Sequence, residues 1–381
     1  MPSFDLRKLF LDVFNPTKGD RVLFLVDLPT MACPDSKEWQ ERRKMAIRWQ
    51  NKLNKLAPEL GINMLPMTYY NATGANNAPL PSKVTVEGKT ATLKEIVAET
   101  TLCIAMTQYS ASAPLIVFTK EFPTLRVASM PGVAPRMEET ALAADYERIY
   151  ERTHILAEKL SVAQYARVLW STDQTFLVDL RFRKAEADDG RLHPNLPPEH
   201  PRLINLPSGE AYSAPYEGER EGELSKTSGQ IPVLIKEELI GFIVKENRIV
   251  AIEGNGSEAK RYRRYFKEQC PICGNIAELG LGCNERAVRW GNILEDEKVL
   301  GLHWAYGRSE HLGGCIGPEK FPEGMVTHED IVYAKTKDRN IPYVAELVLI
   351  SQDGKEELIL HDGQYVLEEP CFQTLGKKKR R

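Results

Sequence analysis

The chain has 381 residues, 42% of them hydrophobic and 27% charged, a globular composition that excludes disorder as a global description. Lys and Arg total 50 against 53 Asp and Glu, a net charge of −3, which argues against a dedicated nucleic-acid binder. At roughly 100–200 residues per domain, two domains are expected. No run of ~18 apolar residues occurs, so no membrane-spanning helix is expected. Met1-Pro2-Ser3-Phe4-Asp5 carries an acid early and no apolar stretch, so no signal peptide is expected, and a cytoplasmic location is the default.

The apolar run Arg21–Asp27 reads as a strand buried on both faces of a parallel sheet. Asp35 and Ser36 are positioned to cap a helix from Lys37 to Leu60, closed by Gly61. Strands follow near 63–70, at 101–106, at Leu115–Phe118 and at Arg126–Ser129, with a helix at 93–99 between the first two. This alternation indicates βαβ units. Glu138–Leu160 reads as one long amphipathic helix, and the sheet pattern restarts at 167–171. The sequence thus predicts an α/β N-terminal domain with a mostly parallel sheet over 1–165, followed by an α+β C-terminal metal-binding domain over 166–381.

In the second half, Thr175–Phe182 alternates as a half-buried strand. Arg191–Pro207 holds five prolines in seventeen residues and reads as irregular chain. Ile231–Ile235, Leu239–Val244 and Arg248–Glu253 form a meander, a charged helix spans Ser257–Gln269, and 345–351 pairs with 357–360 across the turn 352–355. The chain ends in the basic run Lys377–Arg381. Seven cysteines do not suggest a disulfide framework. Cys270, Cys273, Cys283 and Cys315 begin with a knuckle-like spacing but lack a second close pair, so buried free thiols are expected rather than a zinc site.

The chemistry concentrates late in the chain. Three of seven histidines fall within 303–328, and His328-Glu329-Asp330, if a strand, places His328 and Asp330 on one face. With His303, that is a donor set suited to zinc or ferrous iron. Glu210 follows a Pro/Gly turn, and Glu278 lies between apolar residues and glycines. A carboxylate buried in such settings needs a cation or hydrogen-bond donors.

Four stretches in order, 205–215 around Glu210, 275–284 around Glu278, 291–305 ending in Gly301-Leu302-His303-Trp304-Ala305, and His328-Glu329-Asp330, resemble the thermophilic aminopeptidase T (leucyl aminopeptidase) metallopeptidase family. The resemblance implies two divalent ions (zinc, cobalt or manganese) held by Glu210, Glu278, His303, His328 and Asp330. It also implies a homodimer and cleavage of an N-terminal residue from a small peptide or related amide. A ring-opening dioxygenase acting on dihydroxypyridine is a relative, and the same resemblance implies for it a single Fe(II) on His303, His328 and Asp330. Where the family carries a tyrosine ligand, seven residues after the first histidine, this chain has Glu310, followed by His311 and a glycine-rich insertion. Glu310 is the candidate proton shuttle, and His311 the candidate second-shell or oxyanion-stabilising group.

Overall fold

A computed structural model describes residues 4–334 and 341–373; the basic run Lys377–Arg381 lies outside them. Two compact units emerge. The first comprises Met1–Tyr150, Asp188–Ser208 and Arg286–Asp296, and the second Glu151–Ala187, Gly209–Glu285 and Glu297–Arg381. Among the described residues no helix is long and apolar enough to cross a membrane.

The first unit is built on a mixed, mostly parallel sheet. Its strand order is Leu203–Asn205, Arg126–Ser129, Leu102–Ala105, Arg21–Leu28, Thr68–Asn71, Lys83–Val86 and Lys89–Thr92, with Asn63–Met64 also paired to Arg21–Leu28. All pairs from Leu203–Asn205 to Thr68–Asn71 are parallel, and the last two strands return antiparallel. Val22 through Val26 are wholly buried, as the unbroken apolar run requires. The following helix spans Lys37–Leu60. The Ser36 hydroxyl accepts from the Trp39 amide at 3.1 Å, and Gly61 ends it in the left-handed region at φ 67°, as its sequence predicts.

Four expected elements need correction. Leu115–Phe118 is not a strand but the middle of the helix Ser112–Glu121; four consecutive apolar residues carry no period that distinguishes the two. The helix expected over Glu138–Leu160 is split. Two 3-10 turns, Pro135–Glu138 and Ala141–Ala143, precede an extended Ala144, and the continuous helix is Tyr146–Val162. The proline-rich stretch contributes Leu203–Asn205 as an edge strand, the position where proline-flanked chain can still pair. The charged helix is α-helical only over Ser257–Arg264 and continues as a π turn, Tyr265–Gln269.

Two antiparallel sheets make the second unit. The larger runs Arg248–Glu253, Glu238–Lys245, Ser228–Ile235, Thr175–Asp179, Ala163–Trp170, Val344–Ser351, Glu356–His361 and Gln364–Tyr365. The smaller runs Glu186–Asp188, Glu210–Ser213, Ile276–Gly282, Gly301–Gly307 and His328–Tyr333. Leu279, Leu281, Leu302, Trp304 and Tyr306 of the smaller sheet share one core with Val168, Ile231 and Phe242 of the larger. Phe242 meets the Trp304 ring edge-on at 5.8 Å. Cys270 and Cys273 are disulfide-bonded, which corrects the expectation of free thiols there: the 3-10 turn Pro271–Gly274 brings their Cα atoms to 5.3 Å. Cys283 is buried as expected and lies outside this disulfide, and Cys315 is exposed.

A buried ion pair anchors the first unit. Arg126 donates to Asp20 at 2.8 Å and to the carbonyls of Phe14 and Leu192 at 2.8 and 2.7 Å. Burial alone would raise the Asp20 carboxyl, but bonds from Thr101, the Thr17 amide and Arg126 outweigh it and hold it below 3.8. Arg126→Met leaves Asp20 buried without its counter-charge and should cost about 3–5 kcal/mol in urea unfolding at pH 7. Because Asp20 titrates lower in the folded chain than in the unfolded one, the wild-type advantage should shrink as the pH falls below 3.8.

Candidate metal centre

Strand alternation sorts the smaller sheet into two chemically different faces. Register pairs Glu210 with Gly282, Gly280 with His303, Glu278 with Ala305, Ala305 with Asp330, and Gly307 with His328. Directly opposed residues share a face. One face therefore carries Glu210, Glu278, His303, His328 and Asp330 among glycines, Ala305, Val332 and Tyr212, and the other carries the leucines and aromatics of the core. The strand that places His328 and Asp330 two residues apart is the one their spacing predicts.

Glu278 is the hub of this face. Its Oε1 lies 3.2 Å from His303 Nε2, and its Oε2 lies 3.1 Å from His328 Nε2. His303 Nε2 is also 3.3 Å from Glu210 Oε2, and His328 Nε2 is 3.6 Å from Asp330 Oδ1. Two clusters result, Glu210–Glu278–His303 and Glu278–His328–Asp330, each with donor atoms within 4.8 Å of one another. His328 Nδ1 lies 2.8 Å from the Arg308 carbonyl, which can only accept, so Nδ1 carries a proton and Nε2 is the ring atom turned toward the carboxylates.

Glycine makes the room. The His303 ring lies over Gly280, where an added Cβ would stand 2.0 Å from Nε2. No other residue permits that approach.

The electrostatics favour added positive charge. Burial works against protonating His303, but Glu210 and Glu278 outweigh it and lift the imidazole well above 6.5; Asp330 and Glu278 do the same for His328. Glu278 is pushed up by burial, yet the two imidazoles hold it far below the usual carboxylate range. Glu210 is likewise held down, by Lys298 and His303 against burial. With Glu297 beside it, four buried or half-buried carboxylates thus share a single ammonium, and the balance must come from protons or from metal. Glu210 Oε2 is buried with no well-formed hydrogen bond, its nearest polar neighbour being His303 Nε2 at 3.3 Å, and such an oxygen has lone pairs a cation can satisfy. Oxygen and imidazole donors in this number suit a divalent ion, and these buried His, Glu and Asp groups suggest a metal site.

Lys298 was not legible in the sequence. It is wholly buried, and its ammonium reaches Glu210 Oε1 at 2.5 Å and Glu297 Oε1 at 2.8 Å. Burial pushes Glu297 up to about 8, with Lys298 opposing. In Glu295-Asp296-Glu297-Lys298 nothing marks one charge for burial; the run has the composition of a solvated turn.

Glu310 and His311 lie on the 3-10 turn Glu310–Leu312. Glu310 is tied to the Arg308 guanidinium, which holds its carboxyl down against burial. The His311 ring meets His328 edge-on at 4.9 Å. Glu217 pins this loop, accepting from Asn275 Nδ2 and Ser309 Oγ, each at 2.6 Å, and from the Cys315 amide. By composition the acidic run 217–223 reads as solvated; only packing buries its first carboxylate.

No family profile and no curated protein matches the sequence. Two solved structures share the fold over nearly the whole chain. One is 2,5-dihydroxypyridine dioxygenase from Pseudomonas putida, 16% identical, with TM-score 0.61, covering 96% of this chain and 97% of that one. Another is wild-type AmpT from Thermus thermophilus, 13% identical, with TM-score 0.56, covering 95% of this chain and 99% of that one. At these identities the likeness establishes the fold.

Gly280→Ala forces the His303 ring off its position. Divalent-ion affinity measured by calorimetry should fall by roughly 10–100-fold, as when ligand-orienting groups are lost. Unchanged affinity would mean that His303 takes no part in binding.

Proposed function

We propose that the chain is a metal-dependent hydrolase of the aminopeptidase kind, releasing an N-terminal residue from a small peptide or a related amide. One observation carries the reading: Glu278 belongs to both donor clusters and turns one oxygen toward each. Glu278 would thus be shared by two divalent ions, one held by Glu210, Glu278 and His303 and the other by Glu278, His328 and Asp330. Two divalent ions in such a site polarise a scissile carbonyl and bring a bound water toward a pKa of ~7.

The chain's own residues supply the rest. Lys298 holds Glu210 through Oε1 and leaves Oε2 for coordination. The Arg308 carbonyl fixes the His328 tautomer. Glu310 and His311, on the loop beside His328, are the groups assigned to moving the proton to the leaving amine, with Glu310 standing where the resembled family has a tyrosine. The core-facing side of the sheet is closed by aromatics, so substrate approaches from the donor face. A homodimer belongs to the same reading, and its check is sedimentation of the purified protein.

A second reading has support in the shared dioxygenase fold: one ferrous ion on His303, His328 and Asp330, opening a hydroxylated ring. The geometry favours it less, because among the described residues these three do not form a cluster within 4.8 Å, whereas the two Glu278-centred sets do.

Metal content of anaerobically purified protein, followed by parallel assays on aminoacyl amides and dihydroxypyridines, separates the two. The hydrolase reading expects two zinc, cobalt or manganese ions per chain and amine release, which Glu210→Ala and Glu278→Ala each lower by at least about a hundredfold. One ferrous ion with oxygen uptake on the aromatic substrate would replace it with the second reading. Full activity in both variants would refute the dinuclear site.

A further inference from the structure

We propose that the cleft between the strand Arg248–Glu253 and the helix beginning at Ser257 binds a small amphipathic oxyanion, an apolar body carrying one carboxylate or phosphate. The cleft lies outside the metal centre and encloses about 690 Å³, within the ~300–1,000 Å³ typical of small-molecule sites. Its apolar lining includes Ile252, Phe266 and Ile272, and three cations, Arg248, Arg263 and Lys267, line it with them.

The state of those cations gives the cleft its specificity. On the same helix Arg261 is paired with Glu258 at 2.7 Å, and Arg264 with Glu268 at 4.0 Å. Among the described residues, Arg248, Arg263 and Lys267 have no carboxylate within 4 Å. Arg248 is half-buried, and burial lowers its pKa with only the more distant Glu217 opposing. A half-buried guanidinium without an anion is costly, and a ligand oxyanion removes that cost. In a chain of net charge −3, three unpaired cations around one apolar cleft are a local inversion of sign.

Strand addition by a peptide does not fit the same place. The Arg248–Glu253 strand is the last of its sheet, but Arg263 donates to the carbonyls of Ile252, at 3.0 Å, and Gly254, and Asn275 bridges Arg248. With both ends of its edge so engaged, the strand offers an apolar wall and charge, which suits a small molecule.

Calorimetry on the full chain with decanoate, decyl phosphate and decanol tests this. Decanoate or decyl phosphate should saturate one site per chain, at least about tenfold tighter than decanol, and the tighter of the two identifies the head group. Arg248→Gln and Lys267→Gln should each weaken binding by about tenfold. Lys267 is exposed, so its variant keeps the fold whatever happens at Arg248. Equal affinity for decanol, or unchanged binding in both variants, overturns the proposal. Loss of binding in Glu278→Gln with both cleft variants unaffected overturns it as well, by moving the anion to the metal face.

Discussion

Glu278 sits in the middle strand of an antiparallel sheet, its carboxylate buried and each oxygen within 3.2 Å of a different imidazole. A buried anion in an aliphatic setting is unstable without positive charge, and the residues around Glu278 on its sheet face supply and hold that charge. The neighbouring strands contribute Glu210, His303, His328 and Asp330 on the same face because period-2 alternation and register put them there. Gly280 keeps the space above the backbone open for the His303 ring. The opposite face, with Trp304 and Tyr306 against Phe242, buries enough apolar area to hold the sheet rigid, so the donors need no loop to position them.

The shared fold is compatible with hydrolysis and with ring cleavage, and the balance between them rests on carboxylates. Two imidazoles and one carboxylate suit a single ferrous ion. Glu210 and Glu278 add two anions, and Lys298 returns one positive charge while occupying only one oxygen of Glu210. What remains is an excess of negative charge that favours bound cations. A fold therefore limits the chemistry less than the sign and number of charges placed on one sheet face.

The sequence disclosed those elements whose signal is local. The run Arg21–Asp27 reads as a buried strand and is one, and Ser36 with Gly61 frames its helix because capping chemistry is local. Leu115–Phe118 was misread because four apolar residues fit a helix or a strand, and the break before Tyr146 depends on an extended Ala144 that no residue type enforces. At the candidate site, Glu210, Glu278, His303, His328 and Asp330 were marked by residue type and by motif order. Lys298 and Glu217 were not, since both sit in charged runs whose burial is decided by packing against distant strands. The Cys270–Cys273 bond was equally hidden, because it depends on a tight turn and not on the spacing of four thiols.

The most direct test is a crystal structure of the protein grown with cobalt or zinc and measured at the metal's absorption edge. The account predicts two anomalous peaks ~3.5–4 Å apart on either side of the Glu278 carboxylate, one toward Glu210 and His303 and the other toward His328 and Asp330. A single peak away from Glu278, or none on the donor face, would contradict it.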